Sequence, residues 1–344
     1  MDRIKQTNFG QLDGIAIIET TMTNRNGMAV SSCTYGATLT KILVADYEGK
    51  LENVVCGFPS VDGYVQQPQF FGATIGPFAG RLQNAEIQID EQIFQIQPNE
   101  GEHLLHGGTN GFHQAIWRVS VEETIDTAST IYELNYLSDY PAEIHMKVTF
   151  TLTDKDELII LYEGTPNADT LLNCTNHSYF NLSGDLKRSI HQQQLKIPAV
   201  NFIPINQSGL PLGEVRAVEG TVFDFENGKR LEEIIGANEE QIEFASGGLD
   251  HPFILQGREI EFVDEESGRK LTIVTEDQVV VVYTGNKIGD SFDFTEAKAQ
   301  DFLGVCLEEQ NYPNSSLHTH FPHSIVRANE CYQKKTIYQF GLKK

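Results

Sequence analysis

Two short segments of this chain hold the side chains that could move protons. Asn173 to Gly184 sets a single histidine, His177, among short polar residues and one aromatic pair, Tyr179-Phe180. Five hydrogen-bonding side chains flank that imidazole, and a ring nitrogen that titrates near neutrality can give or take a proton at physiological pH. Leu307 to Pro313, which follows the apolar run Phe302 to Cys306, carries the adjacent carboxylates Glu308 and Glu309. One candidate acid and one candidate base are thus present. A Gly-x-Ser-x-Gly nucleophile elbow is not, so His106-Gly107-Gly108 lacks the partner that would make it an esterase oxyanion element.

Other positions admit two readings each. His106 stands in a glycine-dense loop where the backbone can approach something closely, and it is either a ligand contact or a structural histidine beside a turn. Arg81 ends the small-residue stretch Gly72 to Gly80; its fixed fork of donors suits the hydroxyls of a polyol, or else a surface salt bridge. Asp250 lies between Gly247-Gly248 and Pro252, as an acceptor of two sugar hydroxyl protons or as an ordinary turn aspartate. His318, His320 and His323 crowd into six residues, but no Asp, Glu or Cys completes a metal set there, which favours a polar loop.

The elements that must position these groups read as strands. Ile144, Met146, Val148, Phe150 and Leu152 alternate with polar residues, Thr153 to Glu157 makes a turn, and Leu158, Ile160 and Tyr162 return. The same period recurs at Ile87/Ile89, Phe94/Ile96, Ile260/Phe262 and Leu271/Ile273. Helical spacing is confined to short windows such as Arg230 to Ala237. No β-α-β alternation, linker or long repeat appears, so the expectation is an all-β chain, one large antiparallel domain spanning 1–344. If Leu307-Glu308-Glu309 is extended, the two carboxylates point to opposite faces and only one can enter a cleft.

Charge narrows the partners. With 25 Lys and Arg against 48 Asp and Glu, the net charge is −23. That argues against nucleic acid and anionic membrane, and disfavours a phosphorylated substrate unless a local basic pocket overrides the field. A neutral small molecule fits best. No leader-like apolar segment follows Met1, and the five cysteines are odd in number, widely spaced and without a Cys-x-x-Cys pair. Reduced, mostly buried thiols and a cytoplasmic location are the expectation.

Taken in order, these motifs resemble the aldose 1-epimerase, or galactose mutarotase, family. The likeness runs from Tyr35-Gly36-Ala37-Thr38-Leu39 through Leu105-His106-Gly107-Gly108, Thr175 to Leu182, Leu249-Asp250-His251 and Tyr283-Thr284-Gly285-Asn286 to Leu307-Glu308-Glu309-Gln310. The resemblance implies a large antiparallel β-sandwich with an open sugar cleft, no metal, no organic cofactor, and a monomer or weak homodimer. It implies that His177 protonates the ring oxygen of a pyranose and that Glu308 takes the proton of the anomeric hydroxyl. Arg81, His106, Tyr179 and Asp250 would hold the sugar. Family members often carry Arg at the place of Pro77 and Asn at that of Gly80, so galactose, glucose, xylose and reducing disaccharides all stay open as substrates. A non-catalytic sugar-binding protein on the same scaffold is the rival from another class, and a hexose 6-phosphate epimerase is the rival enzyme.

Overall fold

The alternation that begins at Ile144 becomes a long hairpin: Ile144–Thr153 and Glu157–Pro166 pair antiparallel, with Ile144 opposite Pro166 and Leu152 opposite Leu158. Its apolar positions are buried and the residues between them are not, as a sheet covering a core on one face requires. The other alternating stretches form Glu86–Ile89 with Gln92–Gln95, and Glu259–Val263 with Arg269–Thr275. In the computed structural model residues 3–318 and 320–343 are described; Met1, Asp2, Thr319 and Lys344, including both ends of the expected 1–344 domain, lie outside the described residues.

Three antiparallel sheets dominate. A meander of five strands runs from Ile4–Leu12 to Leu51–Asn53. A nine-stranded sheet places the carboxy-terminal strand Tyr332–Leu342 between Glu157–Pro166 and Arg269–Thr275, so the last strand joins the two halves of the chain. A six-stranded sheet runs in the order Tyr179–Phe180, Val305–Gln310, Val279–Tyr283, Asp250–Leu255, Ala199–Phe202, Arg216–Ala217. Its back packs on the nine-stranded sheet, where Phe180 meets Tyr338 edge-to-face at 5.4 Å and Val305 and Leu307 enter the main core. Each such buried side chain contributes about 1.5–3 kcal/mol. The fold is the all-β sandwich expected.

The Arg230 to Ala237 window is not an α-helix. Leu231–Glu233 is a single 3₁₀ turn, with Leu231 and Ile234 buried as their spacing suggests, and Gly236 at φ 78 turns the chain away before a second turn can form. The two short α-helices among the described residues are Val61–Gln66 and Glu240–Phe244. No helix of the described residues is long and apolar enough to cross a membrane. Cys33, Cys56, Cys174 and Cys306 are buried free thiols and Cys331 is exposed.

An ion pair ties the meander to the nine-stranded sheet. Arg269 and Glu52, both fully buried, meet at 2.9 Å, and Arg269 also donates to the Val44 and Ser183 carbonyls. Lys187 reaches the same carboxylate at 2.6 Å.

Candidate active site

The histidine segment is held by two flanking pairings. Thr175–Asn176 pairs with Thr74–Ile75, and Tyr179–Phe180 pairs with Cys306 and Val305. Between them the His177 N–H donates to the Ala73 carbonyl at 2.9 Å, and its own carbonyl accepts from Gly72. The polar neighbours turn out to be backbone staples. Asn176 accepts from the Ser178 N–H and hydroxyl and donates to the Gly72 carbonyl; Asn181 repeats the pattern with Ser183 and donates to the Leu303 carbonyl. Only His177 and Tyr179 of the segment line the adjoining cleft.

That cleft has a volume of about 360 Å³ and brings together Arg81, His106, His177, Tyr179, Asp250 and Glu308, all six of the side chains singled out from the sequence. Val305–Gln310 carries Cys306 and Glu308 on its cleft face. Glu308 Oε1 stands 3.5 Å from His177 Nε2, and Cys306 Sγ stands 3.4 Å from the other ring nitrogen. Glu309 faces the core instead, beside the Tyr338 hydroxyl at 3.4 Å. Asp250 enters from the strand next to Glu308's neighbour, opposite Tyr283.

Arg81 is engaged more fully than a free polyol ligand would be. Its Nε and Nη2 bind the Glu100 carboxylate at 2.6 and 2.9 Å, leaving Nη1 toward Asp250 at 3.6 Å. Gly209 lies against the guanidinium: with φ 79, a Cβ there would come within 3.2 Å of Arg81 Cζ. The Tyr179 hydroxyl is likewise taken up, donating to the Gln69 carbonyl at 2.9 Å, so Tyr179 offers the cleft its ring. The His106 loop approaches backbone rather than ligand. At Gly107 a Cβ would fall 2.1 Å from the Gly76 carbonyl oxygen. Gly80 has φ 82, and Pro313 fills the space where a side chain would begin.

Electrostatics favour a pair that holds one proton. Burial pulls the His177 imidazole down to about 4 and pushes the Glu308 carboxyl well above the usual carboxylate range, with Asp250 and Glu309 adding to the rise and Arg81 opposing it. Burial also raises Asp250, again against Arg81. Glu308 Oε2 and Gln69 Oε1 are buried without hydrogen-bond partners among the described residues. Hydroxyl donors would satisfy both.

His106, His177 and Glu308 each offer a ligand atom within 4.8 Å of the others, the spacing of a metal site. The surroundings favour hydrogen bonding. The Gly80 N–H donates to His106 Nδ1 at 3.2 Å, which leaves the proton of the neutral ring on Nε2 as a donor. A metal-bound histidine needs the reverse, an acceptor at its second nitrogen. His318 and His320 do not share a strand. They follow the 3₁₀ turn Ser315–Leu317, where His320 Nε2 meets the Gly213 carbonyl at 2.7 Å and His318 contacts Asn314.

Sequence reasoning missed Phe70, Gln69, Glu100 and Lys287, which also line the cleft. Phe70 has φ 60, an uncommon backbone for an aromatic residue, and packs its ring on His106 and His177 at 4.8 and 5.6 Å. Nothing in Gln69-Phe70-Phe71 signals this. Glu100 lies in a turn 19 residues from Arg81, and only the fold pairs them.

Residues 19–339 match the family model described as aldose 1-epimerase. The chain is 32% identical to galactose mutarotase of Sus scrofa, covering 99% of this chain and all of the relative. It is 28% identical to aldose 1-epimerase of Escherichia coli (strain K12), over 93% of this chain and 94% of that one. The crystal structure of a galactose 1-epimerase from Lactobacillus acidophilus NCFM superposes with a TM-score of 0.89 at 26% identity, covering 99% of both chains.

Proposed function

The chain belongs to the aldose 1-epimerase family and is an isomerase of aldose anomers; we propose that it interconverts the α and β forms of free aldohexoses, galactose and glucose among them, with His177 as general acid and Glu308 as general base. The observation that carries this reading is the convergence of His177 Nε2 and Glu308 Oε1 at 3.5 Å on one wall of the cleft. The ring oxygen and the anomeric hydroxyl of a pyranose are bonded to the same carbon, so their proton donor and acceptor must converge in this way.

Ring opening adds one proton to the ring oxygen and removes one from the anomeric hydroxyl, and a pair sharing a single proton supplies both. In its ion-pair form the proton is on His177. Transfer to the ring oxygen, with removal of the hydroxyl proton by Glu308, leaves the open aldehyde and the mirror-image proton distribution. Rotation about C1–C2 presents the other carbonyl face, and the reversed transfers close the other anomer. Acid and base each supply about 10²–10⁴-fold. No covalent nucleophile is needed. In this reading His106 Nε2–H and Arg81 Nη1 donate to sugar oxygens, Asp250 accepts from sugar hydroxyls, and the Tyr179 and Phe70 rings wall the site.

A phosphorylated substrate is not supported. The Arg81 charge is matched by Glu100 and Asp250, and Lys287 is the other Lys or Arg lining the cleft among the described residues. The same reading takes the whole chain as one catalytic domain, cytoplasmic, monomeric or weakly dimeric, without a metal or organic cofactor. The continuous core from Met22 to Phe340 supports the first of these. Polarimetry of freshly dissolved α-glucose and α-galactose with pure protein tests the activity. Rates equal to buffer for several reducing sugars would refute it.

A further inference from the structure

Each edge of the Arg81 guanidinium meets a carboxylate. Nε and Nη2, the pair of donors that together grip a carboxylate or a phosphate, are taken by Glu100 at 2.6 and 2.9 Å. Nη1 faces Asp250 at 3.6 Å, and Gly209 lies against the group. Both members of the Arg81–Glu100 pair are placed by local structure. Arg81-Leu82 pairs with Leu104-Leu105. Glu100 heads the turn just before that strand, where it exchanges backbone hydrogen bonds with His103 at 3.1 and 2.9 Å, and the Asn99 side chain ties the turn to Leu105 at 2.7 and 3.0 Å.

We propose that Glu100 is a specificity-determining residue: as an internal carboxylate it occupies the place on Arg81 that the carboxylate of an anionic sugar would take, and so reserves the cleft for neutral sugars. The proposal rests on the anomer-interconverting reading above.

The charges lining the cleft determine what Glu100 excludes. Arg81 and Lys287 stand against Glu100 and Asp250, while His177 and Glu308, sharing one proton, add no net charge, so the cleft is balanced. Without Glu100 it would hold an excess of positive charge and an unoccupied pair of guanidinium donors. A uronic acid suits that arrangement, since it differs from its parent hexose in having a carboxylate in place of the C6 hydroxymethyl group. Because Glu100 is tethered beside Arg81, its effective concentration there exceeds that of a free anion of the same kind. The net charge of −23 also repels anions, but it acts over the whole surface and barely changes when one residue is replaced. A switch in preference on substituting Glu100 would therefore be local. If Glu100 only steadied Arg81, its loss would weaken hexoses and uronic acids alike.

Polarimetric kcat/KM is measured at neutral pH for two matched pairs, glucose with glucuronate and galactose with galacturonate, in the wild-type protein, Glu100→Ala and Glu100→Gln, with melting temperature as the check on folding. The expected result is that the wild type prefers each hexose to its uronate, and that Glu100→Ala reduces this preference by about tenfold or more in at least one pair. Glu100→Gln, which keeps the volume and removes the charge, should shift the preference the same way by less, and it decides the matter if the alanine variant does not fold. A preference that is unchanged or larger in both pairs overturns the proposal. So does a wild-type protein that turns over both uronates as readily as the hexoses. Failure of the wild type on both hexoses would instead overturn the reading of the activity itself.

Discussion

Glu308 and Glu309 are consecutive on the strand Val305–Gln310 and point to opposite sides of it, Glu308 into the cleft 3.5 Å from His177 and Glu309 into the core beside Tyr338. Chemistry at one and packing at the other should therefore separate cleanly. Glu308→Gln keeps the shape and loses the base, so turnover should fall by about 10²–10⁴-fold with sugar binding retained. Burial pushes Glu309 up to about 8, which keeps it protonated at neutral pH, so Glu309→Gln should leave both turnover and melting temperature nearly unchanged. Polarimetry with calorimetric binding on both variants decides. A dead Glu309→Gln beside an active Glu308→Gln would contradict the assignment.

The shared proton sets the pH dependence. Addition of a second proton to the pair follows the depressed His177, at about 4, and loss of the only proton follows the raised Glu308. After subtraction of the buffer rate, kcat/KM should fall on the acid side only near pH about 4, and on the alkaline side as the raised Glu308 carboxyl gives up its proton. An acid limb near the ordinary histidine value of about 6.5 would show that His177 does not titrate as a buried imidazole.

Arg81 holds Glu100 with two donors and turns a third toward Asp250 and the cleft. Lysine keeps the charge but not the fork. Arg81→Lys should raise KM by about 10–100-fold, corresponding to about 1.5–3 kcal/mol for a lost hydrogen bond to a charged group, with a smaller effect on kcat. An unchanged KM would remove Arg81 from the binding set.

Hydrogen bonding at His106 also bears on metals. Because the Gly80 N–H occupies Nδ1, activity should survive prolonged treatment with a chelator. Loss of activity restored by one divalent ion would show that the three converging ligands hold a cation after all.

The Glu52–Arg269 pair gives a prediction about stability. Burial raises the Glu52 carboxyl, but hydrogen bonds from Lys187, Lys50 and Arg269 outweigh it and hold it down to about 2. A depressed carboxyl stabilises the fold above its unfolded value of about 4.3 and loses that contribution as pH falls toward 2. The melting temperature should therefore drop across that window. Glu52→Gln removes the nearer of Arg269's two carboxylate partners, with Asp46 remaining at 3.8 Å, and should cost up to about 3–5 kcal/mol at neutral pH, measured by denaturant unfolding.

Much was legible in the sequence because it depends on short-range pattern. Alternation with a period of two specified the hairpin from Ile144 to Tyr162, and the same period in Leu307-Glu308-Glu309 determined that the two carboxylates would part company. The residue types at His177, Glu308, Arg81, His106 and Asp250 fixed the chemistry available. What the sequence did not carry was which partners those groups would meet. Arg81 is bound by Glu100, the Tyr179 hydroxyl by the Gln69 carbonyl, His177 Nδ1 by Cys306, and the Asn176 and Asn181 amides by the Gly72 and Leu303 carbonyls. Phe70 reaches three imidazoles from a turn with no distinguishing pattern. These contacts join residues far apart in the chain through side-chain directions that strand order and register alone assign, and the balance of burial against charge that tunes each pKa exists only once the sheets are packed.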